Sequence, residues 1–162
     1  MRNTLSNTRN TSKPDFPVNL SDSLQVFSAA PAGALELPVF LSRVAAGFPS
    51  PADDFLEGRI DLNKELIHHP LSSCYVRVEG YSMIDEGILP GSLLVVDRSV
   101  DAKNGDIVIA RVGAEMCVKQ LELKPKGKVR LLSKNPDFPP IEITPETDFE
   151  VWGRVMYSIT KH

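Results

Sequence analysis

The chain has 162 residues, 42% of them apolar and 24% charged, the make-up of one ordinary globular domain with some length to spare. Its net charge of −3 and pI near 5.6 lack the basic excess of a dedicated duplex-DNA binder. No apolar run approaches the roughly 18–20 residues of a membrane span, and the stretch behind Arg2 and Arg9 is broken by Pro31, Glu36 and Pro38, which makes a poor signal peptide.

The first stretch, "MRNTLSNTRNTSKPDFPVNLSDSLQ", is rich in Asn, Ser and Thr and has no sustained periodicity. Such a segment buries too little apolar surface to offset its ordering entropy, so a mobile start is expected. "LELPVFLSRVAAGFPSPADDF" then mixes apolar residues with Gly and Pro, as an extended arm would. Ser50-Pro51-Ala52-Asp53 has the marks of a helix start: a capping serine, proline in the first turn and an acidic residue three positions on. A second short helix is predicted to begin at Asp61 in "DLNKELIHHP" and to stop before Pro70. Beyond residue 72 the chain reads as β. "CYVRVEG", "SLLVVD", "DIVIARV", "MCVKQLEL", "KVRLLSK", "IEIT" and "FEVWGRVMYSIT" are short runs rich in Val, Ile and Leu, divided by Pro90-Gly91, Asn104-Gly105 and Lys126-Gly127. The expected fold class is a mainly β, compact, mostly antiparallel domain with an extended N-terminal arm and one or two short helices. Cys74 and Cys117 lie in apolar, strand-like contexts, where buried free thiols are expected; they fit a reducing, cytoplasmic compartment.

Ser82, between a tyrosine and a methionine just past a strand end, raises the question of what could take its proton. His68 and His69 sit together at a predicted helix end, with no spacing that points at Ser82; surface or capping roles suit them better, and His162 is the last residue. No ligand cluster accompanies the histidines, so no metal and no cofactor are expected. A lysine is the alternative, and it acts as a base only when burial lowers its ordinary pKa of about 10.4. In "MCVKQLEL", period-2 alternation puts Cys117, Lys119, Leu121 and Leu123 on one face. Alternation nominates Lys119 without separating a base from a strand lysine that snorkels to water. The lysines of "LKPKGKVR" lie in a polar turn.

"VEGYSM", "ILPGSLLVVD", "NGDIVIARV", "CVKQLEL" and "NPDFPPIEI", in that order, resemble the LexA/UmuD family of self-cleaving serine peptidases from about residue 37 to the end. The resemblance implies a LexA-like peptidase β domain with Ser82 as nucleophile and Lys119 as its base. It also implies self-cleavage within "RVAAGFPSPADD", between Ala46 and Gly47, dividing the chain into an arm (1–46) and a peptidase and dimerisation domain (47–162). Small residues suit that bond, because a bulky neighbour would hold the carbonyl away from Ser82. The backbone amides of Ser82 and Met83 are the candidate oxyanion donors.

"FPSPADD" and "RIDLN" look most like the UmuD branch, the accessory subunits of error-prone translesion polymerases. The implied partners are a second copy of the chain, the RecA filament on single-stranded DNA as trigger, and a UmuC-like polymerase subunit. Tyr81 is bulkier than the Asp or Asn expected before the serine, and the arm is longer than the branch leads one to expect. The arm carries four basic and three acidic residues, leaving 14 basic and 18 acidic, a net −4, in residues 47–162. Direct DNA binding by the processed form is therefore not favoured. The competing readings are a cleavable LexA-like repressor, a catalytically silent interaction module and a signal-peptidase relative, the last disfavoured by the missing membrane span.

Overall fold

The computed structural model describes residues 24–28, 35–40 and 56–162. In chain order the strands are β1 (Leu24–Ser28), β2 (Glu36–Phe40), β3 (Leu56–Asp61), β4 (Ser73–Val78), β5 (Leu93–Asp97), β6 (Ile107–Val112), β7 (Glu115–Leu123), β8 (Val129–Leu132), β9 (Ile141–Ile143) and β10 (Phe149–Ile159). One short helix, α1 (Leu62–Leu66), and 3₁₀ turns at Ile84–Glu86 and Pro125–Gly127 complete the described elements. Eight strands form one sheet in the order β1-β4-β5-β10-β6-β7-β8-β9, while β2 and β3 pair separately; every pairing is antiparallel. The mainly β expectation holds, and each predicted strand beyond residue 72 is a strand.

Alternation explains how the sheet buries both faces. In β6, Ile109 joins a core with Val76, Leu94, Val96 and Val118, while its neighbours Val108 and Ala110 join a second core with Leu121 and Leu131. β5 reads as a continuous apolar run because Leu94, Val95 and Val96 are all fully buried. β10 links the two halves of the sheet: Phe149–Arg154 pair with β6 and Arg154–Ile159 with β5. A register shift interrupts each ladder, between Val151 and Gly153 and between Val155 and Tyr157, where bulges let one long strand serve two partners. Gly153 sits in this bend because a Cβ there would lie 2.6 Å from Val96 Cγ1.

α1 begins where expected. Asp61 is its N-cap and accepts from the Asn63 amide at 3.0 Å, though the helix ends at Leu66, short of the histidines. The helix start at Ser50 lies outside the described residues; Leu56–Asp61, just beyond it, are a strand. Two further strands lie where the sequence suggested only an arm. β1 lies along β4, with Leu24 opposite Val78, and β2 lies along β3, with Glu36 opposite Asp61. Their order comes from pairing with distant partners, a signal absent from local composition.

Candidate active site

β4 ends at Val78, and Gly80 turns the chain through a φ of +92°, a conformation that costs glycine little. Ser82 follows on this turn. Met83 is buried in the core and anchors the loop, which then closes into the 3₁₀ turn Ile84–Glu86. The loop is also clamped from the β8–β9 connection. Ser82 C=O accepts from the Lys134 amide at 2.7 Å, and the Asp85 amide donates to Lys134 C=O at 2.9 Å. Asn135 Nδ2 donates to Tyr81 C=O at 2.9 Å.

Lys119 lies in the middle of β7, opposite Val108 of β6, on the face shared with Cys117 and Leu121. Only 7% of it is exposed. Its Nζ is 2.6 Å from Ser82 Oγ. An ammonium donates across this contact, whereas a neutral amine accepts the hydroxyl proton across the same distance. Burial pulls the Lys119 amine below its ordinary value, with the Cys117 thiol acting in the opposite sense. Burial in turn pushes the Cys117 thiol up, with the Lys119 charge acting in the opposite sense. Beside the pair opens a cleft of about 100 Å³, lined by Glu79, Gly80, Ser82, Met83, Met116 and Cys117, among others.

The structure thus brings Ser82 and Lys119 together, and puts Met83 next to them. No backbone carbonyl among the described residues accepts from the Ser82 or Met83 amide. Ala46 and Gly47 lie outside the described residues. Tyr81, 62% exposed, keeps its side chain largely in solvent.

His69 serves elsewhere. His69 Nδ1 lies 2.6 Å from Asp97 Oδ2, and its carbonyl accepts from the Ser72 and Ser73 amides, so it organises the turn between α1 and β4. Sequence reasoning gave no role to Asp97, Asn135 or Phe138. Asn135 is buried, and the Phe138 ring lies over Lys119, with Nζ 5.9 Å from its centroid. "NPDFPP" reads as a Pro-rich turn, and nothing in its composition announces what the turn touches. No cluster of His, Cys, Asp and Glu among the described residues could hold a metal ion, and no described helix is long and apolar enough to cross a membrane.

An antiparallel β domain that holds a serine hydroxyl on a turn against a buried strand amine defines the class. The chain belongs to the S24 peptidase family: "Peptidase S24-like" matches residues 38–156. It is 40% identical over 127 residues to the protein MucA of Salmonella typhimurium, covering 78% of this chain and 86% of MucA. ImpA of Salmonella typhimurium is 44% identical over 101 residues, 62% of this chain and 70% of ImpA. MucA and ImpA are UmuD homologues, and the chain is UmuD-like. The LexA repressor of Xylella fastidiosa (strain 9a5c) is 47% identical over 119 residues, 74% of this chain but 55% of the repressor, so the chain spans about half the length of that relative.

Proposed function

We propose that the chain is a self-cleaving serine peptidase of the DNA-damage (SOS) response that cuts its own Ala46–Gly47 bond. The observation that carries this is the 2.6 Å contact between Ser82 Oγ and a lysine amine whose charge burial disfavours. Neutral Lys119 takes the hydroxyl proton as Ser82 Oγ attacks the Ala46 carbonyl carbon. The tetrahedral oxyanion is met by the Ser82 and Met83 amides. The C–N bond then breaks, and the lysine returns its proton to the leaving amine of Gly47. Water hydrolyses the acyl-enzyme, and Ser82 is restored. The small cleft suits the small residues on either side of that bond.

Connectivity supports the same substrate. Residues 41–55, which carry Ala46 and Gly47, join β2 to β3, whose ladder fixes both ends of the connection. Tethering raises the effective concentration of the bond at the cleft, so a modest catalyst suffices without acting as a general protease. Self-cleavage is slow if the bond seldom occupies the cleft, and a partner that binds the occupied arrangement preferentially speeds it by population shift. In our reading that partner is the RecA filament on single-stranded DNA. Residues 47–162 then act as a homodimer and as accessory subunit of a UmuC-like translesion polymerase in the cytoplasm, without sequence-specific DNA binding of their own. Likeness to MucA and ImpA over most of their length supports this role over that of a LexA-like repressor, of which the chain spans about half. A catalytically silent interaction module would have no use for a buried lysine held against a serine, its charge disfavoured by burial.

Intact-mass spectrometry of the purified chain, incubated from neutral pH to about pH 10, tests the reading. A fragment beginning at Gly47 is expected, forming faster as pH rises and absent in Lys119→Ala. Gly47→Glu should block the cut with the pair intact. Absence of any fragment, even with RecA, ATP and single-stranded DNA present, would leave the silent module as the better reading.

A further inference from the structure

The β8–β9 connection does more than clamp the serine loop. Asn135 Nδ2 reaches Tyr81 C=O, while Asn135 Oδ1 accepts from the Asp137 amide at 3.0 Å and Asn135 C=O accepts from the Phe138 amide at 3.1 Å. One buried side chain therefore ties the loop of Ser82 to the turn that carries Phe138. The Phe138 ring in turn lies over the Lys119 amine. We propose that Phe138 is a positioning residue of the cutting site: held by Asn135, its ring keeps water from Lys119 and so holds that lysine ready as a base. This rests on reading Lys119 as the base.

Two opposite effects of the ring have to be weighed. A ring face attracts a cation and would favour the charged amine, but 5.9 Å lies at the outer limit of about 6 Å for such contacts, where they contribute little. Exclusion of water disfavours the charged amine and is the larger influence on a buried lysine. Burial does outweigh the other influences on Lys119, whose amine is pulled down.

Among the groups around Lys119, one offsets that burial. On its own strand, the Cys117 thiol is the group that acts on the amine, in the opposite sense to burial. From β6 the residue opposite is Val108, which carries no charge. The loop of β4 contributes Ser82, and Glu79 further along the cleft wall. In the β8–β9 connection, Lys134 pairs with Glu86 at 4.0 Å and meets the serine loop through its backbone. Phe138 itself is 40% exposed, so trimming it opens a short path for water without emptying a core.

The test uses the full chain with Phe138→Ala and Phe138→Leu, and reads two quantities. The first is the pH profile of self-cleavage. Phe138→Ala should lower the rate about tenfold near neutral pH, which is what one pH unit of displacement amounts to, and should rejoin the parent rate as the lysine deprotonates at high pH. Phe138→Leu, still apolar, should stay close to the parent. Asn135→Ala should displace the profile in the same direction as Phe138→Ala. The second quantity is the titration midpoint of Lys119 itself, followed by the NMR signal of its side chain, which needs no cleavage. A higher midpoint in Phe138→Ala is expected. An unchanged or lower midpoint, or a rate lowered equally at every pH, would overturn the proposal. A chain that never cuts while its Lys119 midpoint still follows residue 138 would uphold the contact and sink the cleavage reading alone.

Discussion

Two polar pairs in this molecule are each 2.6 Å apart: Lys119 with Ser82, and His69 with Asp97. Asp97 is 2% exposed, yet it is saturated with donors. It accepts from His69 Nδ1, Ser72 Oγ, and the amide and hydroxyl of Ser99. Burial alone would raise its carboxyl, but those hydrogen bonds outweigh burial and bring it down to about 2. Lys119, similarly buried, has Ser82 Oγ as its hydrogen-bond partner and Cys117 as a weak electrostatic neighbour, so burial prevails and its charge is disfavoured. In one pair, hydrogen bonds favour the charged Asp97 carboxylate and hold a turn; in the other, burial disfavours the charge of the Lys119 amine. Distance alone does not separate the two pairs. The number of hydrogen bonds to the charged form does.

The largest expected effect breaks the pair proposed to cut the chain. Ser82→Ala and Lys119→Ala should each reduce self-cleavage by about a thousandfold or more while the chain stays folded, checked by mass spectrometry beside circular dichroism. Cleavage by Lys119→Ala at the parent rate would remove the lysine from its assigned role. The structural pair should respond the other way. Asp97→Ala leaves the Ser99 amide and hydroxyl without their acceptor and removes one of three acceptors from the Ser72 hydroxyl, and should lower stability by about 2–3 kcal/mol in urea unfolding. Cleavage per folded molecule should remain near that of the parent, because Asp97 does not touch the cleft.

How much of this contrast was legible in the sequence follows from the range of the signals. Strands β4 to β10 announce themselves through short Val, Ile and Leu runs between turn residues, and the face of Lys119 follows from the two-residue period of β7 alone. Ser82 stood out by its place after a strand end. β1, β2 and β3 were missed because Leu24–Ser28 gain their order from β4, some 50 residues away, and Gly58 weakens the local strand signal of β3. Asp97 read as the polar end of an apolar strand, and its donors come from residues 69, 72 and 99, whose convergence only the fold supplies. Asn135 and Phe138 were hidden for the same reason. Local pattern reveals which face a residue occupies, and tertiary contacts decide what that face meets.

Acid sharpens the comparison further. A carboxyl whose folded value lies below its ordinary 3.8 stabilises the fold above that value, and the contribution is lost as pH falls through about 2. For Asp97 the displacement corresponds to about 2 kcal/mol, since its carboxyl is nearly inaccessible to solvent. Stability measured from pH 5 down to pH 2 should fall more steeply in the parent than in Asp97→Asn, which has no such carboxyl to protonate. Equal slopes would mean that the donors around Asp97 do not favour its charge.

The smallest effect concerns stability at the Lys119–Ser82 pair. Lys119 is an amine with a lowered value, so the unfolded chain holds the proton more tightly than the folded one, and folding is opposed at every pH below the folded value. That opposition fades as pH rises from the folded value towards 10.5. Lys119→Met, similar in length and without charge, should therefore raise the unfolding midpoint near neutral pH by about 1 kcal/mol even as it abolishes cleavage. The gain should shrink as pH rises past 10.5, where the parent lysine becomes neutral in both states. The leftover Ser82 hydroxyl takes little from the gain, since it sits at a half-exposed turn where water can replace the amine. A gain that vanishes in alkali would identify the lysine's charge, and not its packing, as the source of the instability. A Lys119→Met variant less stable than the parent at neutral pH would mean that the amine holds the fold together, as Asp97 does on the other side of the sheet order, and the contrast between the two pairs would fail.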